Sequence, residues 1–208
     1  MSRTHTLTLP LAREDIEPLQ AGDMVYINGQ ITCSIGLPTH QRMVDMLDIG
    51  TPLPVDLKDG GFMHLSVFNQ ELPDGQGYEA LYMNPTTSTR YVAFMPRLVE
   101  GYGLRMIGGK GGLNQASIDA LQRQGCVYVS FLGGGCALLS KAIKRVVAVH
   151  WTDYISQFRL VTLEVESLGP ATVAIDAHGH SLYEQLRDEA TNRMPQILAA
   201  LDAGRPPR

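Results

Sequence analysis

The sequence predicts an α/β chain in which a β-rich first half is followed by βα repeats. Two observations carry that expectation. Up to about residue 83 the apolar residues fall in short β-branched and aromatic runs separated by turn residues. Beyond that point apolar runs alternate with stretches of helical periodicity, and glycine clusters (GGKGG at 108–112, GGG at 133–135) separate one from the other.

Each element has its own signal. DMVYINGQITCS places Asn28-Gly29 between two β-rich runs, and because both residues tolerate positive φ the pair predicts a hairpin. In PTHQRMVDMLDIG, Met43, Met46 and Leu47 recur at helical spacing, with Pro38 and Thr39 marking the start and Gly50 the end. GGFMHLSVF and GYEALYM read as strands flanking the turn-rich NQELPDGQ, which predicts a second hairpin. From NPTTSTR onward the pattern gives a helix over 88–99, the strand LRMI, a helix over 115–123, the strand CVYVSFL, a helix over 136–143 and the strand VVAVHW. LVTLEVES and ATVAIDA supply two further strands. SLYEQLRDEATNRMPQILAAL forms a last helix that Pro195 is expected to kink or break, and the tail DAGRPPR is expected to fray.

Composition limits the function. A chain of 208 residues can bury one main core with a trailing element, and a hydrophobic fraction of 44% with 18% charged residues is that of a globular protein. No apolar run approaches the roughly 20 residues of a bilayer span, so no membrane is expected. The start lacks the apolar stretch of a signal peptide, and a cytoplasmic location is the expectation. A net charge of −4 without a basic run argues against nucleic acid as a partner. Cys33, Cys126 and Cys136 are odd in number and widely spread, which fits neither a disulfide framework nor a metal-ligand spacing.

Residues 84–90, NPTTSTR, carry the strongest chemical signal. Backbone N–H groups at a helix start favour negative charge, Thr86, Thr87 and Ser88 add donors, and Arg90 adds a planar fork suited to a carboxylate. Lys110 adds a point charge between Gly109 and Gly111, where the backbone can approach a ligand closely. Loops at the carboxyl ends of strands in an open α/β sheet form a crevice, so NPTTSTR, GGKGG and GGG are expected around one anion site. The same residues also read as an N-cap and turn, and GGG as tight strand-to-helix packing. GGKGG is neither a Walker loop nor a GxGxxG, which leaves nucleotide binding with little support. His40, near a helix start, either faces the same crevice or caps its helix. His178 and His180, in DAHGHS, read as a turn cap before a metal pair, and Trp151 as packing at a strand end.

The motifs GDMVYINGQI, the Thr-His-x-Arg helix start, LPVDL, PTTSTR, GGKGG, GGGCALL, VHWTD and AIDAHG occur in one order. In that order the chain resembles the β subunit of L(+)-tartrate dehydratases and the carboxyl-terminal domain of class I fumarases, over residues 7–183. The resemblance implies a swivelling β/β/α domain at residues 1–186, followed by a C-terminal helix and tail at 187–208. It implies an α subunit that holds a four-iron four-sulfur cluster with its own thiolates, this chain supplying no metal ligand, in a homodimer or an assembly of two α and two β subunits. The implied reaction adds or removes water at a small hydroxy acid or unsaturated acid. Thr86 is then the base, Arg90 and Lys110 hold the substrate, and Thr87, Ser88, His40, Gly109 and Gly111 surround it. Some residues depart from the pattern. The usual Arg-Asp-x-x-His segment is SIGLPTH, which keeps His40 and lacks the cation, Asn84 and Tyr91 stand for a glycine and a methionine, and a Gly-Pro-bearing strand reads MHLSVF. The lost arginine implies a substrate whose second end is neutral or less polar, the rival reading being that Arg42, Lys58 or a partner arginine replaces the clamp and preserves dicarboxylate use. The alternatives are a regulatory or scaffold subunit without catalysis and, third, a nucleotide-binding domain.

Overall fold

The computed structural model describes residues 2–204. Two long strands, β2 (Met24–Cys33) and β9 (Leu160–Ile175), pair antiparallel. Each divides its other edge between two partners. The first half of β2 takes β1 (Thr4–Thr8) and its end takes β3 (Gly61–Met63), both parallel. The first half of β9 takes β8 (Ile143–His150) and its end takes β7 (Val127–Ser130), both antiparallel. With β6 (Met106–Gly109) parallel between β3 and β7, strands β2, β3, β6, β7 and β9 close on themselves into a five-stranded barrel-like sheet. The crevice therefore belongs to a closed sheet and not to the expected open one.

Alternation along the barrel strands separates two cores. Val127 and Val129 point inward with Val25, Ile27, Met63, Met106 and Leu163. Tyr128, Phe62 and Ile107 point outward against Met43, Tyr91, Leu98 and Ile118. Both faces are buried, which is why these strands read as unbroken apolar runs.

The Asn28-Gly29 hairpin does not form. β2 runs straight through the pair, with register shifts against β9 on either side of Ile27. Gly29 has φ +92°, and a Cβ there would lie 2.6 Å from the Leu9 carbonyl oxygen. The positive φ marks a bulge under a close backbone approach, a need that a hairpin turn shares. Opposite it, the Ser167 N–H donates to Asn28 Oδ1 at 2.7 Å, and Ser167 itself has φ 56°. LVTLEVES and ATVAIDA are consequently one bulged strand, β9.

The second hairpin does form, from β4 (Leu65–Glu71) and β5 (Tyr78–Pro85), as a separate two-stranded sheet. GGFMHLSVF is divided at His64, which turns the chain from barrel strand β3 into β4. Helix α1 (Arg13–Ile16) was not expected, whereas α2 (Leu37–Asp48) and α4 (Gln115–Gln124) follow the predicted periodicity. Asn114 Oδ1 caps α4 by accepting the Ser117 N–H, and Gly125 at φ 68° ends it. The helix expected over 88–99 is a 3-10 turn at Ser88–Tyr91 followed by α3 (Met95–Gly101), because Pro96 fits only the first turn of a helix. α5 (Cys136–Ser140) is shorter than expected, and Ile143 already belongs to β8. α6 (Leu182–Ala203) passes through Pro195 unbroken. No residue of α6 is buried, so water can solvate the Thr191 carbonyl that Pro195 leaves without a donor. Of the tail expected to fray, Asp202 and Ala203 lie in α6, and residues 205–208 fall outside the described residues.

Two glycines separate strain from contact. Gly22 has φ +100° with open space at its Cβ position, while Gly29 has similar φ and a backbone oxygen in the way. Gly22→Ala is expected to cost about 1–2 kcal/mol, and Gly29→Ala about twice that or more. Urea denaturation of both variants measures this, and equal losses would contradict the bulge account.

Candidate active site

The backbone joins two of the three loops directly. The Lys110 N–H donates to the Thr86 carbonyl at 3.0 Å and the Ser88 N–H to the Lys110 carbonyl at 2.8 Å, so Thr87 and Lys110 form a one-rung parallel bridge. The Thr86 N–H in turn donates to the His64 carbonyl at 2.8 Å. The third loop lies alongside, since a Cβ on Gly133 would sit 3.9 Å from Lys110 Nζ. NPTTSTR, GGKGG and GGG follow β5, β6 and β7, and the parallel arrangement of β3, β6 and β7 brings two of those carboxyl ends to one side.

On this joined surface Thr86, Thr87 and Lys110 are half-buried and Arg90 is exposed. Among the described residues the Thr86 and Thr87 hydroxyls have no hydrogen-bond partner, and no carboxylate pairs with Arg90 or Lys110. Two cations and two hydroxyls are thus held together by backbone bonds with their side chains uncommitted. Gly109 and Gly111 are required by packing. A Cβ on Gly109 would meet Ser88 Oγ at 2.1 Å, and Gly111 has φ 73° with Thr87 and Thr89 3.2 Å from its Cβ position.

Ser88 and His40 lie elsewhere. Both are fully buried. Ser88 Oγ is 2.8 Å from His64 Nδ1 and 3.0 Å from the Tyr128 hydroxyl, which is also 2.8 Å from the Gly111 carbonyl. His40 stacks on Tyr91, ring centroids 4.2 Å apart, and its Nδ1 meets the Gly36 carbonyl at 2.6 Å. Neither side chain faces the crevice surface. The N–H groups of Thr86 and Ser88 are already used by the His64 and Lys110 carbonyls, so these two are not free donors at the helix start.

His64, Tyr91 and Tyr128 gave no sequence signal as site residues, yet they form the floor. His64 is fully buried, 4.5 Å from the Tyr91 ring and 5.2 Å from the His40 ring. Burial, with His40 beside it, holds its imidazole well below the ordinary histidine range, and burial pushes His40 down to about 4 against the pull of the Gly36 carbonyl. The Tyr91 hydroxyl donates to the Ile35 carbonyl at 2.6 Å, tying residues 34–37 to the same floor. Ser34 and Gly36 there are buried, Ile35 half-buried and Leu37 exposed. Arg42, a nearby cation, is paired with Asp153 at 3.1 Å and stacked over Trp151, at the end of β8, at 4.7 Å.

The cysteines do not make a ligand set. Cys33 and Cys126 are buried in separate strand regions with their thiols pushed up by desolvation, and Cys136 is on α5. No group of three His, Cys, Asp or Glu side chains placed to hold a metal occurs among the described residues. The amides of His178 and His180 donate to Asp176 Oδ1, each at 3.0 Å, which makes their segment a carboxylate-capped turn. No helix among the described residues is long and apolar enough to cross a membrane.

The closed sheet and the joined loops that carry Thr86, Thr87, Arg90 and Lys110 define a barrel-like α/β class. Comparison with known proteins specifies the class further, and the chain belongs to the Fumarase C-terminus family, whose pattern matches residues 2–186. It is 29% identical over 193 residues to the L(+)-tartrate dehydratase subunit beta of Escherichia coli, covering 92% of each chain. A protein of Methanocaldococcus jannaschii provisionally named L(+)-tartrate dehydratase subunit beta is 30% identical over 189 residues, 90% of this chain and 95% of that one. A provisionally named class I fumarate hydratase of Geobacillus stearothermophilus is 29% identical over 195 residues, 94% of this chain and 36% of the longer protein.

The histidine floor sets a pH dependence. An unfolded chain protonates His40 near 6.5, whereas the folded chain resists down to about 4. The unfolded state therefore binds more protons in between, and stability is lost as pH falls from about 6.5 towards 4, by roughly 3 kcal/mol from His40 alone. Urea midpoints at pH 7, 5.5 and 4.5 should fall in that order, and a flat series would contradict a neutral buried pair.

Proposed function

We propose that this chain is the β-type subunit of a cytoplasmic hydro-lyase and becomes active with an α partner. One observation carries the reading: Thr86, Arg90 and Lys110 lie on backbone-joined loops, and their side chains have no hydrogen-bond or ion-pair partner among the described residues. In this reading residues 1–186 are a swivelling domain that closes over the partner, residues 187–208 are an appendage, and the assembly is a homodimer or two α and two β subunits. The family resemblance implies a four-iron four-sulfur cluster. Two buried thiols pushed up by desolvation and a third cysteine on α5 do not fit it, and the reading places the cluster on the partner.

Loss of water from a hydroxy acid removes a proton from the carbon beside a carboxylate and hydroxide from its neighbour, which together make one water. As the proton leaves, charge builds on the carboxylate, and fixed cations stabilise it. Arg90 and Lys110 take that role. Thr86 Oγ1 accepts the proton, and the adjacent cations favour the deprotonated hydroxyl that this requires. Residues 34–37 offer the substrate no cation, and Arg42 is already paired with Asp153. The reading therefore favours an acid with one carboxylate held by Arg90 and Lys110 and a neutral or less polar second end.

The chain alone should show no turnover, whereas the complex with its natural partner should. In that complex Thr86→Ala is expected to lower kcat by about 10²-fold or more, and Arg90→Lys to lose bidentate geometry with charge retained. Near-normal kinetics for both would remove the site, and a complex without turnover would favour the scaffold alternative. Steady-state comparison should rank mono-acid analogues above fumarate and tartrate, and the opposite order would mean that a partner cation supplies the second clamp.

A further inference from the structure

A buried chain of polar side chains runs beneath the two loops, and its hydrogens can be assigned. The Tyr128 hydroxyl has one hydrogen and faces Ser88 Oγ at 3.0 Å and the Gly111 carbonyl at 2.8 Å. A carbonyl can only accept, so satisfying Gly111 requires that hydrogen. The Ser88 hydroxyl then donates to the Tyr128 oxygen, and His64 Nδ1–H donates to Ser88 Oγ at 2.8 Å. This order makes three hydrogen bonds from three hydrogens and leaves His64 Nε2 a bare acceptor. The reverse order makes two and puts an N–H on His64 Nε2, which is buried with no partner.

We propose that His64 is a positioning residue, whose Nδ1–H, passed through Ser88 and Tyr128 to the Gly111 carbonyl, sets the position of the loop carrying Thr86 and Arg90 against the loop carrying Lys110. The chain touches both loops, since Ser88 belongs to the first and Gly111 to the second. Gly109 admits it, because any Cβ there would occupy the place of the Ser88 hydroxyl. His64 fixes the Thr86 side a second time through its own carbonyl, and its N–H donates to the Gly108 carbonyl at 2.6 Å. One residue thus bonds the backbone on both sides of the site and directs the side-chain chain between them.

The catalytic part of this inference rests on the hydro-lyase reading, so two measurements keep them apart. In asparagine the amide nitrogen can occupy the place of Nδ1, whereas glutamine, closer to histidine in length, reaches the place of Nε2. In the complex with its partner, His64→Gln is expected to lower kcat by about tenfold or more, while His64→Asn stays within about threefold of the parent. A role in filling space alone would rank Gln above Asn, and that order would overturn the proposal. On the full chain without partner, ring-nitrogen NMR should show His64 with a protonated Nδ1 and a bare Nε2, and Ser88→Ala should shift the Nδ1 signal. An Nε2–H tautomer would overturn the proposal whether or not the variants fold. If the parent complex turns over no hydroxy or unsaturated acid, the functional reading fails and the tautomer alone decides the inference.

Discussion

The antiparallel pairing of β2 with β9 is the constraint on which the rest depends. Without it β3, β6 and β7 would be a short parallel ribbon of three- and four-residue strands, too small to hold its own loops. With it the ribbon becomes part of a closed sheet, and the ends of β6 and β7 are fixed on one side. Bulges at Gly29 and Ser167 let two long strands bend enough to serve barrel and flank together.

Beneath the site the protein departs from an ordinary apolar core. His40, His64, Ser88, Tyr91 and Tyr128 are all fully buried, and they sit where the β4–β5 hairpin, the 3-10 turn and the barrel meet. Such polar interiors cost stability when partly satisfied and confer order when satisfied. Here the Ser88 hydroxyl and the His40–Gly36 contact satisfy most of the groups, leaving the two histidine Nε2 atoms and Asn84 Oδ1 without partners. The surface above is the opposite, with cation and hydroxyl side chains that bond nothing among the described residues. Rigid support below and uncommitted groups above is what preorganised charge stabilisation requires.

Much of this was legible in the sequence. The βα half, the β4–β5 hairpin and the approach of the three loops followed from periodicity and glycine placement, and Thr86, Thr87, Arg90 and Lys110 lie on loops that backbone bonds join. Misreadings arose where one local signal serves two structures. Asn28-Gly29 supplies the positive φ of a turn and of a bulge alike, and only a long-range contact, Leu9 against Gly29, decides between them. Residues 167–170 looked like a break between strands for the same reason. Ser88 and His40 were read as ligand groups because hydroxyl and imidazole types signal chemistry, whereas burial is a property of the fold. His64 gave no signal, lying inside an apolar run whose division between two sheets no periodicity reports.

The central claim is that Arg90 and Lys110, on separate loops held together by backbone bonds, grip one carboxylate. A crystal structure of the chain bound to its partner and to a slowly turned-over hydroxy acid measures this directly. The account predicts one carboxylate within about 3 Å of both the guanidinium and the ammonium, with the proton-bearing carbon next to that carboxylate beside Thr86. A carboxylate bound away from residues 86–90 and 109–111, or held by partner residues alone, would contradict it.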